Sequence, residues 1–236
     1  MQVAEVLSRL RALSDPKTQA SIMRSAHPPR TALGVGNAKL RTLAGEIGVD
    51  RLIAQQLWAS GIHEARLLAS LIDDPKRVTS KQMERWVRDF DTPDLCDACC
   101  LNLFVLTPFA FGKVATWSTR REELVKRASF VLLGCLAEAN KVRDSEFNRF
   151  FAVIEREAIE ERPLVRRAIA QSLSLVARRS PALYKNAIVA ADNIARQDSK
   201  NAQWIANEAR KAIANAPAPK PVEKKPARKK AATLKK

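Results

Sequence analysis

What most constrains this chain is its punctuation. Apolar residues recur at helical spacing in runs of roughly 10–20 residues, each closed by a short polar or proline-bearing turn, and no alternating stretch reads as a strand. Glycine, the residue that turns and bulges need most, occurs only 7 times in 236 residues. A first helical run covers Val3 to Leu13 and stops near Ser14-Asp15-Pro16, and a second passes through Ile22 to about Ala26. His27-Pro28-Pro29 then demands an extended connection, because a proline excludes its predecessor from the α region. Beyond it, helices are predicted over 37–46, 49–59, 62–73, 79–89, 93–106, 118–138, 144–160, 162–178, 180–196 and 199–214.

Helices this short each have one apolar face, and each can bury it only against its neighbours. Pairs recurring at roughly 35–45 residues therefore predict an all-α fold: a right-handed HEAT-like or armadillo-like α-solenoid of paired helices with a concave basic face. A globular helical bundle is the alternative, since the repeats share no clear residue identity. The helical domain spans residues 1–215. Residues 216–236 change character: eight Lys or Arg stand against the single Glu223 and are interrupted by Pro217, Pro219, Pro221 and Pro226. This Lys/Pro/Ala-rich segment reads as a disordered basic tail, adhesive to nucleic acid or merely solubilising.

The net charge is +16, of which the tail carries +7 and residues 1–215 the remaining +9. Such an excess calls for a polyanionic partner, because Lys and Arg gain affinity by releasing counterions from phosphates. Nucleic acid leads over a membrane surface: no run approaches the roughly 20 apolar residues of a spanning helix, and no signal peptide opens the sequence. The expectation is a soluble, cytoplasmic, nucleoid-associated monomer that works without metal or cofactor.

The four cysteines form no disulfide framework, with Cys96, Cys99 and Cys100 crowded on one helix and Cys135 apart. Cys96 and Cys99 spell a CxxC, yet no second pair exists and His27 and His63 are distant, so buried reduced thiols are expected over zinc or redox chemistry. The same stretch, Asp91 to Cys100, is the best candidate for chemistry. With Pro93 opening the helix, Leu95, Cys96, Cys99, Cys100 and Leu103 gather on one apolar arc, while Asp94, Asp97 and Leu101 lie on the other side. The two carboxylates either face a groove or simply favour the positive end of the helix dipole.

Cations cluster late in the folded part: Arg120, Arg121, Lys126 and Arg127, then Arg162, Arg166, Arg167, Arg178, Arg179 and Lys185. Arg178 and Arg179 end a helix, where positive charge also complements the dipole. Lys126 and Arg127 are the better DNA candidates because they fall inside a helix following Ser118, a predicted N-cap.

Several ordered motifs carry a resemblance. Leu57-Trp58-Ala59-Ser60-Gly61-Ile62-His63-Glu64-Ala65-Arg66-Leu67-Leu68-Ala69, Asp94-Leu95-Cys96-Asp97, Val125-Lys126-Arg127-Ala128 and Val165-Arg166-Arg167-Ala168-Ile169 resemble the AlkD-like DNA alkylation repair proteins, over about residues 3–214. The resemblance implies a HEAT-like solenoid that holds duplex DNA on its concave face. It implies a DNA glycosylase that releases cationic N3- or N7-alkylated purines without extruding the base into a pocket. Positive charge builds on the deoxyribose as the glycosidic bond breaks, and a fixed anion stabilises it. On that resemblance Asp97 matches the catalytic aspartate and Arg127 the arginine that holds a backbone phosphate. Arg166 and Arg167 join Lys126 and Arg127 as DNA-binding residues, and Asp94 supports from the helix start.

Two positions depart from the family pattern. Relatives commonly carry tryptophan where this chain has Pro93 and again where it has Gln171, and those indoles wall the damaged nucleotide with cation–π faces. Trp117, nearest to Arg127 in sequence, is the candidate substitute, whereas Trp58, Trp86 and Trp204 read as core. The departures keep two other functions open: a noncatalytic DNA binder, and a protein-interaction solenoid tethered to DNA by its tail. His63 reads as a capping or packing residue, and Gly34-Val35-Gly36 as a turn rather than a phosphate loop, since no Lys-Ser/Thr follows it.

Overall fold

The computed structural model describes residues 2–139 and 142–215, so the predicted tail lies outside the described residues. Thirteen α-helices and two short 3-10 turns, with no strand, account for the regular structure there. In chain order the helices are α1 (Val3–Ala12), α2 (Pro16–Met23), α3 (Asn37–Ile47), α4 (Arg51–Ala59), α5 (His63–Ile72), α6 (Ser80–Arg88) and α7 (Pro93–Asn102). They continue as α8 (Ala110–Trp117), α9 (Glu123–Glu138), α10 (Asn148–Glu157), α11 (Pro163–Ala177), α12 (Pro181–Ala195) and α13 (Lys200–Ala214).

The starts follow from local chemistry. Asp15, Asp50, Thr79, Thr92, Ser180 and Ser199 each accept a hydrogen bond from a first-turn amide of the helix they precede, which satisfies donors that have no intrahelical partner. Proline stands in the first turn of α2, α7, α11 and α12, where its missing N–H costs nothing.

Stacking is sequential. One layer runs α3, α5, α7, α9, α11, α13, each packed on the next. The other layer is joined by side chains. Trp58 of α4 stacks on Trp86 of α6 at 3.9 Å. Glu84 of α6 accepts from Lys113 and Trp117 of α8, and Phe111 of α8 meets Phe150 of α10. A single continuous core runs between the layers from Val6 to Ile213. This is an α-solenoid, as the paired-helix pattern predicts, and not a globular bundle.

Four boundaries differ from the sequence reading. The second helix ends at Met23, short of Ala26. The predicted 93–106 helix stops at Asn102 and continues only as a 3-10 turn over Phe104–Leu106, because Thr107-Pro108 follows. The segment 144–160 is a 3-10 turn over Asp144–Phe147 followed by α10. The predicted 118–138 helix begins only at Glu123, and the short helix α8 before it has no counterpart in the prediction. Ser118 is therefore not the N-cap of α9: it closes α8, with its hydroxyl donating to the Ala115 carbonyl.

Close approach in the first layer depends on small residues. The Cys96 and Cys100 thiols donate to the Leu124 and Ala128 carbonyls of α9, both at 3.6 Å. A side chain at Gly134 would stand 2.6 Å from Leu175 of α11. Burial pushes the Cys99 and Cys100 thiols well above their ordinary range, as expected of inert packing sulfurs. All four cysteines are free.

Candidate nucleic-acid interface

The open face of the first layer is built by residues three and four apart on successive helices. On α7 the division is sharp: Leu95, Cys96, Cys99, Cys100 and Leu103 are buried, while Asp94 and Leu101 are exposed and Asp97 is 42% exposed at its side chain. Asp97 and Leu101 form a crest between two recesses. One, of about 270 Å3, is shared with Asn37, Leu40 and Arg41 of α3 and with Leu67 and Leu71 of α5. The other, of about 190 Å3, is shared with Val131, Cys135 and Glu138 of α9 and with Gln171 and Leu175 of α11.

Asp97 and Arg127 meet on this face. The Arg127 Nε donates to Asp97 Oδ1 at 2.9 Å and Nη2 to Oδ2 at 2.6 Å, a two-pronged pair that fits a planar guanidinium to a carboxylate. Nη1 donates to the Leu164 carbonyl at 2.7 Å, which ties α9 to the start of α11. Arg127 is only 12% exposed. Burial pulls its pKa down, but Asp97 more than offsets this and the guanidinium stays charged. The carboxylate and the cation assigned to different parts of the DNA are thus each other's partner in this structure.

Asp94 does not cap its helix; Thr92 does. Instead it accepts from His63 Nε2 at 2.9 Å. His63, at the first turn of α5, is 3% exposed, and its Nδ1 is buried without a partner. Desolvation raises the Asp94 carboxyl, yet the His63 hydrogen bond and charge, helped by Thr92, outweigh it and bring its pKa to about 2. Burial lowers His63, while Asp94, Glu64 and Asp91 more than reverse that, so its pKa rises above the ordinary value.

The other predicted contacts separate. Lys126 is clamped between Glu157 at 2.7 Å and Glu160 at 2.8 Å and is 12% exposed, so it is a structural ion pair and not a free phosphate ligand. Arg166 turns toward α13: Nη1 donates to Asn201, and the guanidinium lies 4.2 Å from the Trp204 ring centroid. Arg167 alone of that pair is exposed, one turn before Gln171 on the open face of α11, and it makes no ion pair among the described residues. Trp117 cannot serve as an aromatic wall. It is fully buried, and its Nε1 donates to Glu84 at 2.8 Å, on the far side of the core from Asp97.

The open face mixes both signs of charge. The floor carries Asp94, Asp97 and Glu138 beside apolar Leu101, Val131 and Leu175, and Cys135 there is pushed up to about 12, chiefly by burial and then by Glu138 and Asp97. Arg41, Arg167 and Arg178 bring positive charge on α3 and α11.

Sequence reasoning missed the partner of Gly34-Val35-Gly36. The amides of Leu33, Gly34 and Val35 all donate to the buried Glu64 carboxylate, at 2.8, 2.7 and 3.3 Å. The glycine-bearing turn is indeed an anion nest, filled from within by the residue after His63.

Comparison with known proteins adds three findings. No curated protein sequence matches this one at a significant level. A solved structure is similar in fold, with a TM-score of 0.73 at 18% identity, covering 90% of this chain and 96% of that one. It is described as a new family of proteins related to the HEAT-like repeat DNA glycosylases with affinity for branched DNA structures. The sequence model of the DNA alkylation repair enzyme family matches residues 6–213, nearly the whole described fold, and the chain belongs to that family.

Proposed function

We propose that the open face of α3, α5, α7, α9 and α11 holds DNA, and that the protein hydrolyses the N-glycosidic bond of cationic N3- or N7-alkylated purines. The observation that carries this reading is the partly exposed Asp97 carboxylate on the crest of the face, backed by a single buried guanidinium. An incoming backbone phosphate competes for the Arg127 edge that Asp97 now holds, and the carboxylate is freed toward the sugar. The C1′–N bond then breaks, its electron pair neutralises the alkylated base, and Asp97 stabilises the positive charge left on the sugar. Water adds at C1′ and loses its proton to solvent or to Asp97. Arg167 and the tail supply further phosphate contacts.

The test is release of methylated base from alkylated duplex DNA. Wild type is expected to release it, and Asp97→Asn to lose about 100-fold or more, the scale of removing one fixed electrostatic stabiliser. No release by folded wild type in excess over DNA overturns the reading.

A second reading is favoured by the burial of Trp117 and the neutralisation of Asp97 by Arg127, together with the family resemblance, which implies tryptophan where this chain has Pro93 and Gln171. It is a noncatalytic binder of duplex or branched DNA. It predicts salt-sensitive binding that survives Asp97→Asn, with no base release from any substrate.

A further inference from the structure

A run of exposed positive charge also stands on α6, away from the open face. Lys81, Arg85 and Arg88 stand at i, i+4 and i+7, one stripe about 10 Å long. Lys76 and Arg77 in the preceding turn extend it, and all five residues are exposed. The opposite side of the helix, Gln82, Met83, Trp86 and Val87, is buried in the core, so the stripe points away from it. No α6 residue lines the recesses beside Asp97.

Of the neighbouring acids, Glu84 and Glu122 are paired with other cations, while Asp74 and Asp89 accept from neutral donors. Glu84 is held by Lys113, Trp117 and Arg120. Asp89 accepts from Trp58 Nε1 at 2.8 Å, and Glu122, near Arg88, is bonded to Arg120. Arg85 reaches only the neutral Gln55 amide. Lys81, Arg85 and Arg88 make no ion pair among the described residues, and their spacing along one helix face matches a run of phosphates.

We propose that the α6 stripe is a second DNA-backbone contact, on the outer face, for a segment of DNA other than the one in the groove. The proposal rests on the reading that the chain binds DNA, and does not depend on catalysis. Two contacts on opposite faces let one molecule engage two duplex arms, so a junction is bound more tightly than a linear duplex.

The experiment compares full-length wild type with Lys81→Gln/Arg85→Gln/Arg88→Gln, using fluorescence anisotropy on a short linear duplex and on a four-way junction across a salt series. The substitutions are exposed and neutral, and circular dichroism confirms folding. The variant is expected to lose about tenfold in junction affinity, and its junction salt slope to fall by about 2.7, or 0.9 for each of three phosphate contacts. Linear-duplex affinity stays within about twofold. Unchanged junction binding overturns the proposal, and so does an equal loss on both DNAs, which would mean general attraction. Binding to anionic phospholipid vesicles that the variant loses while junction affinity is kept would reassign the stripe to membranes and also overturn it. Junction binding without base release defeats only the glycosylase reading; failure of wild type to bind any DNA defeats both.

Discussion

A buried histidine beside a half-open aspartate makes stability at this site depend on pH in a direction that can be stated. Asp94 titrates near 2 in the fold, below its ordinary value of 3.8, so its contribution is present above about 3.8 and is lost as pH falls through about 2. His63 is raised above 6.5, so its contribution is complete below about 6.5 and is lost as pH rises through the folded value. The pair therefore stabilises most between these limits. Urea unfolding of wild type is expected to show stability declining as pH rises above about 6.5, and His63→Gln to flatten that decline. A decline of equal size in the variant would assign it to other groups. The unpartnered Nδ1 opposes the charged form, and Asp94, Glu64 and Asp91 around the ring favour it. Asp97 differs from Asp94 because its partner, the Arg127 guanidinium, is a permanent cation.

At the scale of elements, the loop before α3 is more than a connection. Gly34 adopts φ +80°, and a Cβ there would stand 2.3 Å from the Asp15 carbonyl and 2.5 Å from the Gln19 amide, backbone atoms that cannot swing aside. Gly34→Ala should therefore displace the loop from Glu64 and leave a buried carboxylate without its amides, destabilising by about 3 kcal/mol in chemical denaturation. A loss below about 0.5 kcal/mol would show that the nest tolerates rearrangement. This partnership was not legible in the sequence, because a nest is recognised by what fills it, and Glu64 lies on a different helix. The α7 stripe was legible, since helical period alone separates five buried residues from Asp94, Asp97 and Leu101. α8 was not: it is short, contains Gly112 and follows a proline, so its signal merged with the loop. The same merging misassigned Ser118 and put Trp117 at the edge of the site when it lies in the core. Lys126 and Arg127 show the limit most plainly. They are adjacent in sequence, yet about 100° of helical turn sends one to Glu157 and Glu160 and the other to Asp97.

Across the whole molecule, charge is divided in a way that its total conceals. The +9 of residues 1–215 is a net excess, and its exposed cations are spread along the chain, from Lys17 and Lys39 through the α6 stripe to Arg167 and Arg178, while the floor of the open face is mixed in sign. On the proposed reading, DNA on that face meets few direct cations, and the tail's +7 becomes a large share of long-range attraction. The described fold closes without the tail: α13 ends at Ala214, and Ile213 completes the core. Truncation after Asn215 is expected to leave the thermal midpoint within about 2 °C. The same truncation should weaken duplex binding at low salt and reduce the salt slope by several contacts, up to the eight cations removed. Residual binding should persist and should respond to Arg167→Ala, because that guanidinium is free on the open face of α11. Abolition of all DNA binding by truncation would make the tail the sole DNA contact and the solenoid a platform for other partners. A slope that stays unchanged would show the tail to be a solubilising end, and all electrostatic affinity would then belong to the folded helices.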